Sequence, residues 1–297
     1  MKPVPIVFSL LICLFVMSCR NADNPPRIQD TQSGTSDGSS ADGPRDDRKK
    51  ALVIIVDNSL SVANTELEAL YEQFPEEMGS ALAELYEQPY AEIQRRTLSE
   101  VVEDFGEDWL IADVEAEADG YYGAYRSLTD DAATFDRFVD AIENYSDDGY
   151  LVDLLINLHG TEAGEIVFSD EFYPLTQITS EIASRELNVS VVYQTVCFGS
   201  TMLDEWEAIG IHAINGSVGD NLYVNFAPGA FLKHWIAGMN FDDAVQQARE
   251  DDIDALRTRL TDAATENETL TLLLSFYDFD TQSQQTIGGE YPQIRWK

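Results

Sequence analysis

Two residues with reactive side chains, His159 and Cys197, lie at the ends of strongly apolar segments of the chain. His159 and Gly160 follow the apolar run 151–158, and Cys197 follows the β-branched run 189–196. In an open parallel sheet, ligands bind beyond the carboxyl ends of the strands. Because consecutive strands are usually neighbours about 4.8 Å apart, we expect the imidazole and the thiol to reach one substrate carbonyl. The pattern predicts acyl transfer, in which a thiolate attacks, the imidazole moves the proton and the Gly160 N–H stabilises the oxyanion.

The chemistry of Cys197 depends on whether it is a reactive thiol or only a small buried side chain, which is a common role of cysteine. The chain has three cysteines. We expect Cys13 to leave with a signal peptide and Cys19 to carry lipid, so that Cys197 is the one thiol of the mature chain and has no intrachain disulfide. His212 and His234 are expected to have structural roles. With so few such ligands a Cys/His zinc site is not expected, and we predict no metal and no cofactor.

The first eighteen residues have the composition of an export signal, with Lys2 followed by an almost wholly apolar run. That run is too short to predict a membrane span. The segment ending in Cys19 resembles a bacterial lipobox, in which the cysteine is lipidated and becomes the new N-terminus. Met17 is uncommon in such a motif, and an ordinary signal peptide is the alternative. We expect a lipid-anchored protein of the cell envelope, and Arg20, in place of the Asp associated with inner-membrane retention, favours the outer membrane.

Composition divides the chain into three segments. Residues 1–18 are the expected lipoprotein signal peptide, and residues 19–50 are so poor in apolar side chains that we expect a disordered tether after the lipidated Cys. Residues 51–297 are long enough for one domain. The net charge of −36 excludes nucleic acid as a partner, because its phosphates would be repelled. An acidic surface attracts basic peptides and divalent cations, although a merely solvated surface is the interpretation we favour.

Apolar runs alternate with segments of helical periodicity, and this alternation favours an α/β fold. We predict a three-layer sandwich with a mostly parallel sheet of about six strands buried on both faces. The expected strands are 51–56, 109–114, 151–158, 189–196, 209–214 and 269–277. The expected helices are 65–88 with an interruption at Pro75, one beginning with Thr129 as its N-cap, 176–187, 225–237, and 241–264 with Asn240 as its cap.

A strand ending in His-Gly and a later strand ending in Cys resemble the caspase-like fold of cysteine peptidases, which includes caspases, legumain, gingipain, separase and clostripain. The resemblance extends over about residues 51–250. It implies a His159/Cys197 dyad, an oxyanion hole formed by the amides of Gly160 and Cys197, and a membrane-tethered cysteine endopeptidase acting on a peptide or protein. Further segments similar to the family are 56–60, which resembles clostripain-like members most, then 214–217, Phe231, 238–241 and 244–248.

The sequence departs from clostripain-like enzymes beside the proposed nucleophile. Those enzymes have an Asp two residues before the Cys, whereas this chain has Thr195, and Val196 replaces an Ala that is frequent in the wider family. The departure at Thr195 leaves a preference for Arg or Lys at the cleavage site without support. Asp57 and Asp220 are weaker candidates for placing negative charge in the substrate pocket.

Two other functions are compatible with the sequence. The segment Asp57-Asn-Ser59-Leu-Ser61 has the Asp-x-Ser-x-Ser form with which von Willebrand A domains hold Mg²⁺ in an adhesion site, and an Asp with two hydroxyls suits a hard cation. The loops that would complete that site lack a convincing Thr or second Asp, and His159 stands where that family often has an Asp. The third interpretation is a catalytically inactive caspase-like module that binds partners.

Overall fold

A mostly parallel β-sheet forms the centre of the structure, a computed structural model that describes residues 49–57, 71–72, 75–86, 88–219, 221, 226–264, 284–289 and 291–295. The strands are β1 Lys50–Asp57, β2 Ala124–Thr129, β3 Leu151–Gly160, β4 Glu165–Val167, β5 Phe172–Pro174, β6 Val189–Gln194, β7 Ala213–Ser217 and β8 Gln285–Gly288. The α-helices are α1 Pro75–Leu85, α2 Tyr90–Ile93, α3 Leu98–Val101, α4 Asp108–Ala118, α5 Phe135–Asp147, α6 Leu175–Ser184, α7 Leu203–Ala208, α8 Ala227–Ile236 and α9 Phe241–Ala264. Shorter turns are a π-helical segment, Val102–Glu107, and two 3₁₀ segments, Asp130–Ala132 and Gly199–Met202.

The order of strands across the sheet is β2-β1-β3-β6-β7-β8. The first five of these strands are parallel to their neighbours, and β8 runs antiparallel to β7. A small antiparallel extension, β4 and β5, pairs with the carboxyl end of β3. Because β3 lies between β1 and β6, its carboxyl end meets the ends of both neighbours.

Helices cover both faces of the sheet, as the alternation of side chains along each buried strand requires. On one face α5, α6 and α7 pack against the sheet residues Val53, Ile55, Leu154, Ile156, Leu158, Val192 and Ile214. On the other face α4, α8 and α9 pack against Leu52, Ile54, Val56, Leu155, Val191, Tyr193 and Ala213. The result is an α/β fold compatible with a three-layer sandwich. In the part of the chain that is described, every helix is too short or too polar to span a bilayer.

The strand predicted over 109–114 is wrong, because these residues form part of α4. Leu110, Val114 and Ala118 recur at helical spacing and are buried against the sheet. The second strand is β2, an edge strand in which only Leu128 is fully buried. An edge strand does not need a continuous apolar run, so its sequence gave little signal.

Other predicted elements are displaced or outside the described residues. The strand expected over 209–214 is found at β7, after the end of α7. The helix expected from Thr129 begins at Phe135, and Thr134 caps it by accepting the Arg137 N–H at 3.4 Å. Residues 269–277 lie outside the described ranges, and β8 was not predicted. The cap of α9 is confirmed, since Asn240 Oδ1 accepts the Asp243 N–H at 2.9 Å.

Candidate active site

The register of the sheet brings the ends of β3 and β6 side by side. The two strands are parallel neighbours, and the ladder continues past β6 because the Thr195 N–H donates to the Ile156 carbonyl at 2.9 Å. One residue on, Asn157 Nδ2 donates to Thr195 Oγ1 at 2.8 Å. His159 and Cys197 each come two residues later. Because side chains alternate along a strand, His159 faces the same side of the sheet as Asn157, whereas Cys197 lies in the turn beyond the end of β6.

Gly160 lies directly against the backbone of the cysteine segment. A Cβ built on Gly160 would overlap Val196 Cγ1 and the Cys197 carbonyl oxygen. Only a residue without a side chain permits this approach. Gly160 therefore fixes the distance between the end of β3 and the residue that carries the sulfur.

The Gly160 amide is directed away from the antiparallel extension. The Thr161 N–H donates to the Glu165 carbonyl at 3.0 Å, so these two residues form a hydrogen-bonded pair between β3 and β4. In an antiparallel ladder hydrogen-bonded and non-bonded pairs alternate. Gly160 and Ile166 are the next pair, and the Gly160 N–H therefore points away from β4.

A strained turn carries the chain away from Cys197. Phe198 has φ 56°, in the left-handed region that an aromatic residue rarely occupies. Its N–H donates to the Gly219 carbonyl at 2.7 Å, and the Gly199 N–H donates to the Val196 carbonyl at 3.2 Å. The strain, on the order of 1–3 kcal/mol, is held by these bonds and by the 3₁₀ segment that follows.

Three side chains from β7 and the loop after it hold successive carbonyl groups before the cysteine. Asn215 Nδ2 donates to the Gln194 carbonyl at 2.7 Å, Asn221 Nδ2 to Thr195 at 2.8 Å, and Ser217 Oγ to Val196 at 2.9 Å. We call Asn215, Ser217 and Asn221 the carbonyl clamp. The β6–β7 ladder ends at the pair Val192–Ile214. Beyond it the Asn215 side chain replaces the backbone pairing, since its Oδ1 also accepts the Gln194 N–H at 2.8 Å. The sequence signal for the clamp is the presence of polar residues, Asn215 and Ser217, inside a buried strand.

The sulfur of Cys197 has Asn221 as a polar neighbour. The Asn221 N–H donates to Sγ at 3.4 Å, and the Asn221 carbonyl oxygen lies 3.9 Å from it. Cys197 is 5 % exposed. It is disulfide-bonded in this structure, and the other two cysteines, Cys13 and Cys19, lie outside the described residues. The prediction of a lone thiol concerns the processed chain, and it stays a prediction. Thiolate chemistry at Cys197 requires the reduced form.

A buried acid lies on α9, one of the helices that cover the same face of the sheet. Asp252 of α9 accepts backbone hydrogen bonds from Phe226 and Ala227, where α8 begins. Burial raises the pKa of Asp252 well above its usual range, and the two N–H donors offset part of that rise. Burial, with a further contribution from the Asp252 charge, also raises the pKa of Tyr193 on β6. The hydrogen bonds of Asp252 with Phe226 and Ala227 hold the start of α8 against α9.

The other candidate residues are distributed differently. Asp57 is buried at the end of β1 and pairs with Leu158, on the sheet face opposite to that of His159. Asp220, Ser59 and Ser61 lie outside the described residues, so the two pocket assignments and the adhesion motif stay predictions. Across the described ranges, no group of three or more His, Cys, Asp or Glu side chains is arranged to hold a metal ion.

The other two histidines lie away from this end of the sheet. His212 precedes β7, and its Nδ1 lies 3.2 Å from Ser190 Oγ at the amino end of β6. His234 pairs with Asp251 at 2.7 Å between α8 and α9. His159 is therefore the one described histidine at the carboxyl ends of the strands.

Comparison with protein-family models and with curated proteins finds no match to this chain.

Proposed function

We propose that this protein is a cysteine endopeptidase of the caspase-like fold, with Cys197 as the nucleophile and His159 as the general acid and base. The observation that carries the proposal is the contact of Gly160 with the Val196–Cys197 backbone. This contact joins the His-Gly end of β3 to the cysteine turn on neighbouring strands. The hydrogen bond between Asn157 and Thr195 supports the proposed pairing of His159 with Cys197, since each of these lies two residues further along its segment.

The proposed reaction has two steps. The Cys197 thiolate attacks the scissile carbonyl, a C–S bond forms, and the oxyanion accepts hydrogen bonds from the amides of Gly160 and Cys197. The C–N bond then breaks, and His159 gives its proton to the leaving amine. In the second step His159 takes a proton from water, and the water oxygen attacks the thioester. The acid product leaves and the sulfur is released as the thiolate. No metal or cofactor takes part in these steps.

The proposed substrate is a peptide segment of a protein. The net charge of −36 favours encounter with basic segments, because opposite charge raises the association rate. A preference at the cleavage position is a separate matter. The sequence around Thr195 does not indicate one, so a library carrying every amino acid at that position is the appropriate substrate set.

We expect Cys197 to be labelled by an electrophilic peptide probe in the folded, reduced protein. A site that stabilises the thiolate makes the sulfur react faster than an ordinary thiol. The measurement is mass spectrometry of the Cys197 peptide after probe treatment in reductant, together with hydrolysis of the peptide library. A chelator added to the assay should leave both results unchanged, because the proposed steps use no metal.

The Cys197→Ala protein is the control for that experiment and should show neither labelling at this peptide nor hydrolysis. Labelling of wild type only after denaturation would identify Cys197 as a core residue and overturn the enzyme proposal. Ready labelling without cleavage of any peptide would point instead to an inactive module that binds partners.

The membrane anchor is proposed from the N-terminal sequence alone. Replacing Cys19 by alanine should move the protein from the membrane fraction to the soluble fraction, or block processing, because the lipid-bearing sulfur is lost. The measurement is fractionation of cells followed by immunoblotting. Stable anchoring needs more than one acyl chain, and we expect all the lipid of this protein to be attached at Cys19. Loss of Cys19 should therefore release most of the protein from the membrane. Unchanged membrane association of Cys19→Ala would contradict lipidation as the anchor.

A further inference from the structure

Asn221 contacts the cysteine segment in two ways. Its side-chain Nδ2 donates to the Thr195 carbonyl at 2.8 Å, and its backbone N–H donates to Cys197 Sγ at 3.4 Å. The first bond lies two residues before the sulfur in the chain, and the second reaches the sulfur itself. We propose that Asn221 is a positioning residue, whose side chain holds its own backbone N–H on Cys197 and so favours the thiolate form of the sulfur. The inference rests on the proposed function only in treating Cys197 as the nucleophile.

The structure explains why the side chain is needed for this task. Asn221 lies beyond the end of β7, where the strand ladder no longer fixes the backbone. On the near side of this segment, Ser217 is tied to the Val196 carbonyl and Gly219 to the Phe198 N–H. The hydrogen bonds of Asn221, which lies between these tethers and the start of α8, all go to Thr195 and Cys197. Loss of the carboxamide would release the backbone N–H from its position at the sulfur.

A donor at this distance acts on the charge state of the sulfur. A hydrogen bond to the charged form of a group favours that form, and hydrogen bonds to charged groups are stronger than those between neutral groups. Other titratable groups at the carboxyl ends of the neighbouring strands are His159 and Asp57, and Asp220 lies outside the described residues. Removing the Asn221 side chain changes none of these charges. Its effect on the sulfur is therefore separable from theirs.

The test measures the rate of Cys197 alkylation by iodoacetamide as a function of pH. The full chain, purified in detergent and reductant, is sampled over time, and the peptide containing Cys197 is quantified by mass spectrometry. We expect the wild-type rate to reach half its maximum below the value of about 8.5 that describes a free cysteine. In Asn221→Ala this midpoint should rise by about one pH unit, and the rate at pH 7 should fall by about tenfold.

Two further variants separate positioning from a general loss of stability. Asn221→Gln keeps the carboxamide donor and should recover part of the wild-type profile. Asn188→Ala removes a comparable side-chain bond, from Asn188 Nδ2 to the Ser146 carbonyl at 3.4 Å, at the opposite end of β6. This control should leave the profile unchanged. Thermal unfolding followed by circular dichroism checks that each variant is folded.

The inference is overturned if Asn221→Ala keeps the wild-type profile, or if Asn188→Ala shifts it equally. A wild-type midpoint at or above about 8.5 also overturns it, and that measurement needs no variant. Peptide hydrolysis is measured separately. If the midpoint shifts but no peptide is cleaved, the positioning role stands and the peptidase proposal fails. If peptides are cleaved and the midpoint does not move, only the positioning role fails.

Discussion

Peptide hydrolysis by the His159→Ala protein is expected to fall by a factor on the order of 10² or more, because the proposed general acid and base is lost. His159 is the penultimate residue of β3, and its ring gives a proton to the leaving amine in the proposed reaction. The measurement is kcat/KM for the best peptide of the library, at several pH values.

The chain provides two matched controls for this prediction. His212→Ala and His234→Ala each remove an imidazole that is hydrogen-bonded elsewhere, to Ser190 and to Asp251. Both controls should retain hydrolysis within a few-fold of wild type. A loss smaller than about tenfold in His159→Ala, well below what a general acid and base contributes, would remove His159 from the proposed mechanism. Equal losses in all three variants would mean that the effect is one of stability.

Replacing Gly160 by alanine is expected to lower both stability and activity. The new methyl group would overlap Val196 Cγ1 and the Cys197 carbonyl oxygen, so the cysteine turn must move away from β3. Overpacking of this kind costs about 1–3 kcal/mol of the free energy of unfolding. A small displacement of reacting groups can lower the rate on the order of 10²-fold. Urea unfolding and kcat/KM measure the two effects.

Gly164→Ala is the control in the same hairpin. Gly164 has φ 77°, and nothing lies within 4 Å of a Cβ built there. The substitution should destabilise the protein by about 1 kcal/mol, through the left-handed backbone alone, and should leave hydrolysis unchanged. If Gly160→Ala is as active as Gly164→Ala, the contact between β3 and the cysteine turn does not set the geometry of the site.

The sequence predicted the central strands of the fold well. β3 and β6 are continuous β-branched or leucine-rich runs, and burial on both faces leaves that composition little alternative. The adjacency of these two strands followed from the rule that consecutive parallel strands are usually neighbours. The structure adds the close contact of the Gly160 backbone with the cysteine segment.

The edge strands, one helix and the carbonyl clamp could not be predicted from apolar runs in the same way. Residues 109–114 are apolar enough for a strand, but the helical spacing of Leu110 and Val114 decides their structure. β2 and β8 pair at the edges of the sheet, and edge strands carry a weak apolar pattern. The carbonyl clamp was missed because its bonds join β6 to β7 across the chain. A donor such as Asn215 or Asn221 finds its acceptor only when the fold is formed.

The antiparallel pairing of β8 with β7 means that one hydrogen bond near the site can form only late in synthesis of the chain. Asn215 of the carbonyl clamp donates not only to Gln194 but also to Gln285 Oε1 at 2.9 Å, on β8. A growing or translocating chain presents β3, β6 and β7 before Gln285 follows them. At synthesis rates of about 5–20 residues per second, that delay lasts on the order of several seconds. The nascent chain thus holds both members of the proposed dyad while the β7 edge is still unpaired, and the hydrogen bond from Asn215 to Gln285 forms only once β8 has docked.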